Sequence, residues 1–320
     1  MLTQLLATMY QVFLPISLPV IGGVLLRRFR GLDTKPLVTL SLYVLTPSIV
    51  FTTLLHADIS LGDVGHTISF SLLSLVILWL VAVMLSRVLQ LNPQEQAGLT
   101  MISTFTNCVN YGLPLVLLAF GQLGLDKASV YVIGQMIIVN TVGVFFAARS
   151  HFSVRHAVYS VFRLPAIYAA MIATILRLNG LSLPTALDEG FAMLVAAYSP
   201  VALAVLGAQM IHVGVTNINA SSNDPAQLAA QVAPTRRALW AGLSLRIIAA
   251  PLLSWLLLRL LGIDGILFNV LFILTSMPTA VNAVILAEQF GAAPRLVSRC
   301  ILWTTLSSIV VLPVLIYLLQ

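Results

Sequence analysis

Two asparagines, a glycine and a proline interrupt an apolar span that is long enough to cross a lipid bilayer. The interruption covers residues 106–114 and has the sequence TNCVNYGLP. Asn107 and Asn110 are three positions apart, so before the break they share one helical face, and each amide offers two donors and one acceptor. Pro114 has no N–H, so the carbonyl of Asn110 loses its helical partner, and Gly112 loosens the same turn. These amides can bind a carboxylate or a ketone, or they can cap the broken ends. Binding is favoured, because capping alone does not explain why the helix is broken.

A second interruption of the same kind lies far downstream. It covers residues 275–282, has the sequence TSMPTAVN and ends with another amide, Asn282. In hydrocarbon an unpaired backbone group costs several kcal/mol, so a broken helix persists only where it lines a cavity or binds something. Two interrupted helices in one membrane protein are typical of a secondary transporter with its site at mid-membrane. We therefore predict that Asn110 and Asn282 lie at the centre of a binding site.

Other polar residues near the two breaks are weaker candidates for the same site. Gln135 and Asn140 interrupt an apolar face of the next span, where an amide either lines a site or bridges two helices. Arg246 lies inside an apolar segment and is a natural counter-charge for an anion, although its long side chain can instead reach the membrane interface. The predicted substrate-binding residues are Asn107, Asn110, Tyr111, Gly112, Pro114, Gln135, Asn140, Arg246, Ser276, Pro278, Thr279, Ala280, Val281 and Asn282.

The two interruptions contain no aspartate and no glutamate. An antiport mechanism in which a carboxylate carries protons therefore has no evident proton carrier there. The N-terminus of each half-helix would present free N–H groups and a partial positive charge. Neutral amides beside two such ends favour an anionic substrate.

Membrane-spanning helices must position these residues. Of the 320 residues, 59% are hydrophobic and 8% are charged, whereas a typical soluble domain has about 25% charged residues. The composition predicts an all-α polytopic membrane protein embedded in a lipid bilayer. About 20 apolar residues cross a bilayer. On that measure the chain has ten spans, at 3–26, 36–55, 67–90, 97–120, 129–148, 158–178, 187–211, 238–261, 265–289 and 297–319.

The basic residues support this number of spans. Of the 16 lysines and arginines, 12 lie in or near the loops on one side of the ten spans, three lie in or near the loops on the other side, and Arg246 lies deeper within a span. Because basic loops stay in the cytoplasm, we expect a bacterial inner (plasma) membrane protein with both termini on the outer, periplasmic side. The net charge of +6 then reflects membrane topology, and no nucleic-acid partner is predicted.

Ten spans divide into two sets of five. Because each set has an odd number of spans, the second set enters the membrane from the opposite face, which gives inverted repeats. At an offset of 168 positions (286 − 118), Leu118 matches Leu286 and Pro114 falls on Asn282. The fourth and ninth spans are therefore predicted to be broken at the same depth and to cross there.

An intramembrane enzyme is not favoured by the sequence. Such an enzyme needs a nucleophile with a base, or metal ligands, within the membrane. The five histidines fall in or near predicted loops, and the two cysteines indicate neither a disulfide framework nor a metal site. We predict a protein that is not an enzyme and binds no cofactor or metal. A non-transporting membrane receptor is a further alternative.

At the two interruptions the chain resembles the auxin efflux carrier family of transporters, in its compact bacterial form. The first motif reads NxxNxGxP from Asn107 to Pro114, and the second reads MPxAVNA from Met277 to Ala283. The resemblance implies two inverted five-helix repeats with broken, crossing fourth and ninth helices, as in the related bile-acid/sodium symporter fold. The chain lacks the long hydrophilic central loop of plant auxin carriers. It therefore resembles a carrier of small carboxylates such as malate or malonate more than a carrier of auxin.

The resemblance also implies separate roles for two groups of helices. Residues 1–55 and 158–211 would form a scaffold that pairs into a homodimer. Residues 67–148 and 238–319 would form a transport core that moves by an elevator mechanism, and 212–236 would be a cytoplasmic loop. The implied function is secondary active transport of small organic anions by alternating access. The alternative is a sodium- or proton-coupled symporter of a bulkier amphipathic anion, similar to a bile acid.

Overall fold

A computed structural model of the chain describes residues 9–56, 60–139, 162–215 and 235–319. Within these ranges the chain is helical apart from short connections and one isolated β-bridge. Seven of the described helices are long and apolar enough to cross a membrane, and two shorter apolar helices accompany them. This architecture agrees with a polytopic membrane protein.

The helices are numbered α1 to α11 in chain order. They are α1 (Tyr10–Arg30), α2 (Thr34–His56), α3 (Leu61–Val88), α4 (Pro93–Thr104), α5 (Leu113–Ile138), α6 (Pro165–Leu178), α7 (Thr185–Val215), α8 (Arg236–Leu260), α9 (Gly265–Thr275), α10 (Asn282–Phe290) and α11 (Pro294–Leu319). α5 consists of two helical pieces that meet at Gly121, whose φ of 66° and ψ of −163° are not helical. Glycine alone adopts such a conformation without steric cost.

Both predicted interruptions are present, and each divides a predicted span into two helices. The span predicted at 97–120 is divided between α4 and α5, and the span predicted at 265–289 is divided between α9 and α10. The first break lies earlier than the sequence indicates. Pro114 follows the π-helical turn Cys108–Gly112, which continues into α5 without a break, and the non-helical residues are 105–107.

A partly buried ion pair involves the helical piece that follows Gly121. The sequence predicted a span at 129–148, with Asp126 and Lys127 before it in an outer loop. Both residues are instead helical and less than 10% exposed, at 8% and 9%. Lys127 Nζ donates to Asp63 Oδ2 at 2.7 Å, which ties this helix to the first turn of α3. The part of the predicted span beyond Val139 lies outside the described residues.

In the described ranges, four π-helical turns share one cause. Each ends two residues before a proline, and the turns are Met9–Phe13, Ser41–Leu45, Cys108–Gly112 and Leu245–Ala249. A proline inside a helix has no N–H, and its ring clashes with the carbonyl four residues earlier. In every case that carbonyl belongs to the central residue of the π-helical turn, and the wider turn relieves the clash. π-helical turns are frequent at functional sites.

The helix contacts fall mainly into two groups, which also contact each other where α7 packs on α11 and α2 packs on α5. α1 packs mainly on α7, and α2 packs mainly on α6 and α7. α3 packs on α4, α5 packs on α9, and α11 packs on α4, α8 and α10. One hydrophobic core runs through both groups, and the two breaks lie inside it.

Candidate functional site

The two breaks meet and pair through their backbones. An antiparallel β-bridge joins Thr106 and Thr279. Two further bonds flank it, from the N–H of Asn107 to the carbonyl of Pro278 at 2.9 Å and from the N–H of Ala280 to the carbonyl of Phe105 at 3.0 Å. Each break therefore satisfies peptide groups that the other break frees, which removes part of the cost of opening two helices in hydrocarbon. We call residues 105–107 and 278–280 the crossover.

Two helical segments begin at the crossover without a side-chain cap. The π-helical turn Cys108–Gly112 leads into α5, and α10 begins at Asn282. Asn107 and Val281 occupy the two N-cap positions, and neither makes a capping side-chain bond. α3, α4 and α8 are capped by a side chain, whereas α6 and α9 lack a side-chain cap, like the two segments at the crossover. The first N–H groups of a helix lack intrahelical partners and carry a partial positive charge, so these two starts suit an anion.

A cavity of about 270 Å³ borders both helix starts. Its lining comes from the crossover and from α2, α5, α7 and α10, with Leu164 just before α6. The predicted site residues in the lining are Asn107, Asn110, Gln135, Ala280, Val281 and Asn282. The predicted residues outside the lining are Tyr111, Gly112, Pro114, Arg246, Ser276, Pro278 and Thr279. Asn140 lies outside the described residues.

Several of the predicted residues outside the lining support the crossover. The N–H of Thr279 donates to Thr304 Oγ1 at 3.3 Å, and Ser308 Oγ donates to Tyr111 Oη at 3.3 Å. A Cβ on Gly112 would lie 2.7 Å from Leu274 Cδ2, so a glycine lets the second half of one broken helix pack closely on α9. These residues hold α5 and the crossover against α9 and α11.

Four buried polar atoms in the cavity lining have no hydrogen-bond partner. They are Ser41 Oγ, Thr106 Oγ1, Asn107 Nδ2 and Gln135 Oε1. An unpaired buried polar atom costs about 1–3 kcal/mol. Six further atoms of this kind lie elsewhere in the described residues, so the cavity lining holds four of ten. A polar ligand in this cavity would give each of them a partner.

The rest of the described lining is largely apolar. It contains no aspartate, glutamate, lysine, arginine or histidine, and its apolar members are Val38, Leu42, Phe105, Val109, Met136, Val139, Leu164, Val205, Ile285 and Leu286. The described lining therefore contributes no formal charge of its own, and the two helix starts carry partial positive charge. Its polar side chains come from the crossover and from Ser41, Asn110, Gln135 and Asn282.

Sequence reasoning missed the contribution of α2 to the cavity. Ser41 begins the π-helical turn that ends at Leu45, and a signal for it is present in Pro47. A proline inside an apolar span predicts a widened turn before it, and hydroxyls in that turn are then candidates for a site. The apolar residues of the lining cannot be identified from the sequence, because leucines and valines that line a cavity have the same spacing as those that face lipid.

Arg246 is buried behind the crossover, at 1% exposure. It therefore does not reach the membrane interface, and it does not line the cavity. The guanidinium donates from Nε to Met277 O at 2.7 Å, from Nη1 to Ser103 O at 2.9 Å and from Nη2 to Thr275 O. Arg246 therefore contacts the ends of the broken helices and is not one of the residues that line the cavity.

Comparison with known proteins connects this arrangement to transport. Residues 14–156 and 149–316 match the profile of a family described as membrane transport protein. Each of the two matched ranges contains one of the breaks. The chain is also similar to a protein of Methanothermobacter thermautotrophicus described as an uncharacterized transporter, with 28% identity over 291 residues that cover 88% of this chain and 87% of the relative.

Proposed function

Because this chain belongs to the membrane transport protein family, which includes the auxin efflux carriers, we propose that it is a secondary active carrier of small organic anions such as malate or malonate. One observation carries the choice of an anion. Two uncapped helix starts border a single cavity in which four buried polar atoms lack partners.

Gln135 Oε1, one of the four unpartnered atoms, is an acceptor and needs a donor such as the hydroxyl group of malate. A carboxylate suits the part of the cavity that carries donors. Its oxygens accept hydrogen bonds, and the helix starts together with Asn107, Asn110 and Asn282 supply donors. Partial charges at helix ends are weaker than the full charge of a buried cation. An anion held in this way can be released again, which a carrier must do in every cycle.

The transport step would move one group of helices relative to the other. We propose ten spans in two inverted repeats, with 1–55 and 158–211 as a scaffold that forms a homodimer and 67–148 and 238–319 as an elevator-type transport core. The packing of α1 on α7 and of α2 on α6 supports this division. The cavity supports it as well, because its lining is drawn from α2 and α7 on the scaffold side and from the crossover on the other. Both termini would face the periplasm.

The apolar part of the lining favours a second candidate. An anion with a bulkier apolar body would bury that body against side chains such as Leu42, Val205 and Ile285 while its carboxylate meets the crossover. Such a substrate would be taken up with sodium ions or protons. The two candidates share the site and differ in substrate size and in coupling.

A thermal-shift measurement tests the site. We expect malonate or malate to stabilise the purified protein, because a ligand that binds only the folded state stabilises it by RT ln(1 + [L]/Kd). An Asn110→Ala, Asn282→Ala variant should lose that shift. Asn179→Ala is the matched control, because Asn179 is exposed at the end of α6 and its amide donates to Ile175 O. Equal stabilisation of the double variant and the wild type would overturn the proposed site.

Uptake into proteoliposomes separates the candidate functions. Labelled malonate should accumulate inside vesicles, whereas a receptor would bind the anion without moving it. Adding a sodium or a proton gradient identifies coupling. A gradient-dependent uptake of octanoate together with no uptake of malonate would favour the symporter of a bulkier anion.

A further inference from the structure

A single arginine side chain bonds the ends of both broken helices. We infer that Arg246 is a positioning residue that sets the geometry of the crossover. Its three partners are the carbonyls of Ser103, near the end of α4, of Thr275, the last residue of α9, and of Met277 in the second break. Each bond comes from a different nitrogen of the same guanidinium.

The carbonyls at these two helix ends need such a partner. The last four carbonyls of a helix have no intrahelical donor, and they carry a partial negative charge. Many helices satisfy them with a left-handed residue after the last turn, as α1 does at Gly31 and α10 does at Gly291. α4 and α9 lack such a residue, because Phe105 is extended and Ser276 is right-handed. Arg246 takes over part of that role at both ends.

The shape of the side chain suits this task as well as its charge does. A guanidinium holds five N–H donors in a rigid plane, whereas a lysine ammonium is a single point with three donors. Within the described residues no carboxylate pairs with Arg246. Its charge is therefore matched by the two negative helix ends, and its planar fork fixes the distance between them.

The position of Arg246 links this contact to the cavity. Ser103 is the second-last residue of α4, directly before the first break. Thr275 and Met277 lie on either side of Ser276, where the second break begins. A shift of either helix end would move the crossover bonds and, with them, the two helix starts that border the cavity. The inference deepens the proposed function. Only its uptake measurement presupposes that function, since the other readouts need no substrate.

The thiol of Cys108, which follows the crossover residue Asn107, can report this geometry when no substrate is present. The chain has two cysteines, and Cys300→Ala leaves Cys108, which lines the cavity and is 2% exposed. In that background we expect slow modification by a small methanethiosulfonate reagent. Arg246→Lys keeps the charge and loses the fork, and Arg246→Gln loses both. Each should raise the modification rate of Cys108 and the KM for malonate uptake by about tenfold or more, since small displacements of a site cost factors of this size.

The matched control is Arg259→Lys in the same helix. Arg259 pairs with exposed Asp264 at 3.1 Å and does not touch the crossover, so both readouts should stay at wild-type values. A purely structural role for Arg246 would lower the amount of folded protein and leave the KM of the folded fraction unchanged. That result, or a wild-type KM and Cys108 rate in Arg246→Lys, would overturn the inference. A wild-type result for Arg246→Lys would mean that the positive charge alone, without the planar guanidinium, holds the two helix ends.

If neither Arg246 variant folds, hydrogen exchange in the wild-type protein tests whether the crossover is held as rigidly as the inference requires. In the wild-type protein the amides of Asn107 and Ala280, which bond across the crossover, should exchange as slowly as amides inside α4 and α9. Exchange as fast as in an exposed loop would overturn the inference. Failure of the wild type to take up malonate, together with the expected Cys108 rates, would count against the proposed function and leave the role of Arg246 standing.

Discussion

Ser41 lies in the cavity lining with a buried hydroxyl oxygen that has no hydrogen-bond partner. Without ligand this atom destabilises the folded protein, so Ser41→Ala should leave the melting temperature unchanged or raise it slightly. With ligand the hydroxyl gains a partner, and a hydrogen bond to a charged group contributes about 1.5–3 kcal/mol. We therefore expect Ser41→Ala to weaken malonate binding at least about tenfold. Thermal shifts at several malonate concentrations measure both effects.

Ser48 in the same helix provides the control for Ser41. Its hydroxyl is also buried, but it donates to Val44 O at 2.7 Å and lies outside the cavity lining. Ser48→Ala should not change the affinity for malonate. A loss of affinity as large as that of Ser41→Ala, or no loss in Ser41→Ala, would contradict the role given to Ser41.

The site residues differ in how far the sequence could identify them. Asn107 and Gln135 are detectable, because amides in an apolar span must have a polar neighbour. Ser41 is harder to identify, because a serine in a membrane helix usually bonds to its own backbone, as Ser48 does, and the signal for Ser41 is indirect, in Pro47. The sequence places Arg246 inside an apolar span and leaves open whether its side chain reaches the interface. Its partners are backbone carbonyls from distant segments, and no side-chain pattern reveals them.

The helix pair α1 and α7 is held at close range by glycine. A Cβ on Gly23 would lie 1.9 Å from Ala204 O, and a Cβ on Gly207 would lie 2.0 Å from Val20 O. These neighbours are backbone atoms, which cannot rotate away. Gly23→Ala should therefore separate the helices and destabilise the protein by about 3 kcal/mol, the upper end of the usual range for overpacking. Thermal or denaturant unfolding in detergent measures the change.

The adjacent glycine gives an internal reference for this prediction. A Cβ on Gly22 would meet nothing within 4 Å, and alanine is a better helix former than glycine by about 1 kcal/mol. Gly22→Ala should thus be neutral or stabilising. Similar effects of the two substitutions would show that α1 does not pack on α7 through Gly23.

At the scale of helices, composition reveals which spans are broken but not where. Pro114 and Gly112 correctly indicate an interruption, yet the helix opens upstream, at 105–107, because the π-helical turn Cys108–Gly112 accommodates Pro114 without a break. The pairing of Thr106 with Thr279 depends on contacts between distant segments. The start of the helix after Gly121 was misplaced for a similar reason. Lys127 is buried by its pairing with Asp63, a partner 64 positions away (127 − 63).

The two proposed groups of helices are joined by a hydrogen bond close to the crossover. Tyr198 of α7 is fully buried, and its hydroxyl donates to Val109 O at 2.8 Å in the π-helical turn that begins the second half of the first broken helix. If the core moves against the scaffold, this bond exists in one conformation and breaks in the other. It then contributes to the balance between the two conformations.

Tyr198→Phe should shift that balance while it keeps the aromatic packing. Loss of one hydrogen bond amounts to about 1 kcal/mol, or about a fivefold change in the population ratio. Spin labels at Leu61→Cys in α3 and Leu187→Cys in α7, both exposed, would report the change as altered areas of two distance peaks. Tyr168→Phe is the matched control, since its hydroxyl donates to Phe162 O at 2.7 Å close to α6. A single distance that neither variant changes would mean that the two groups are fixed relative to each other, and the elevator mechanism would be wrong.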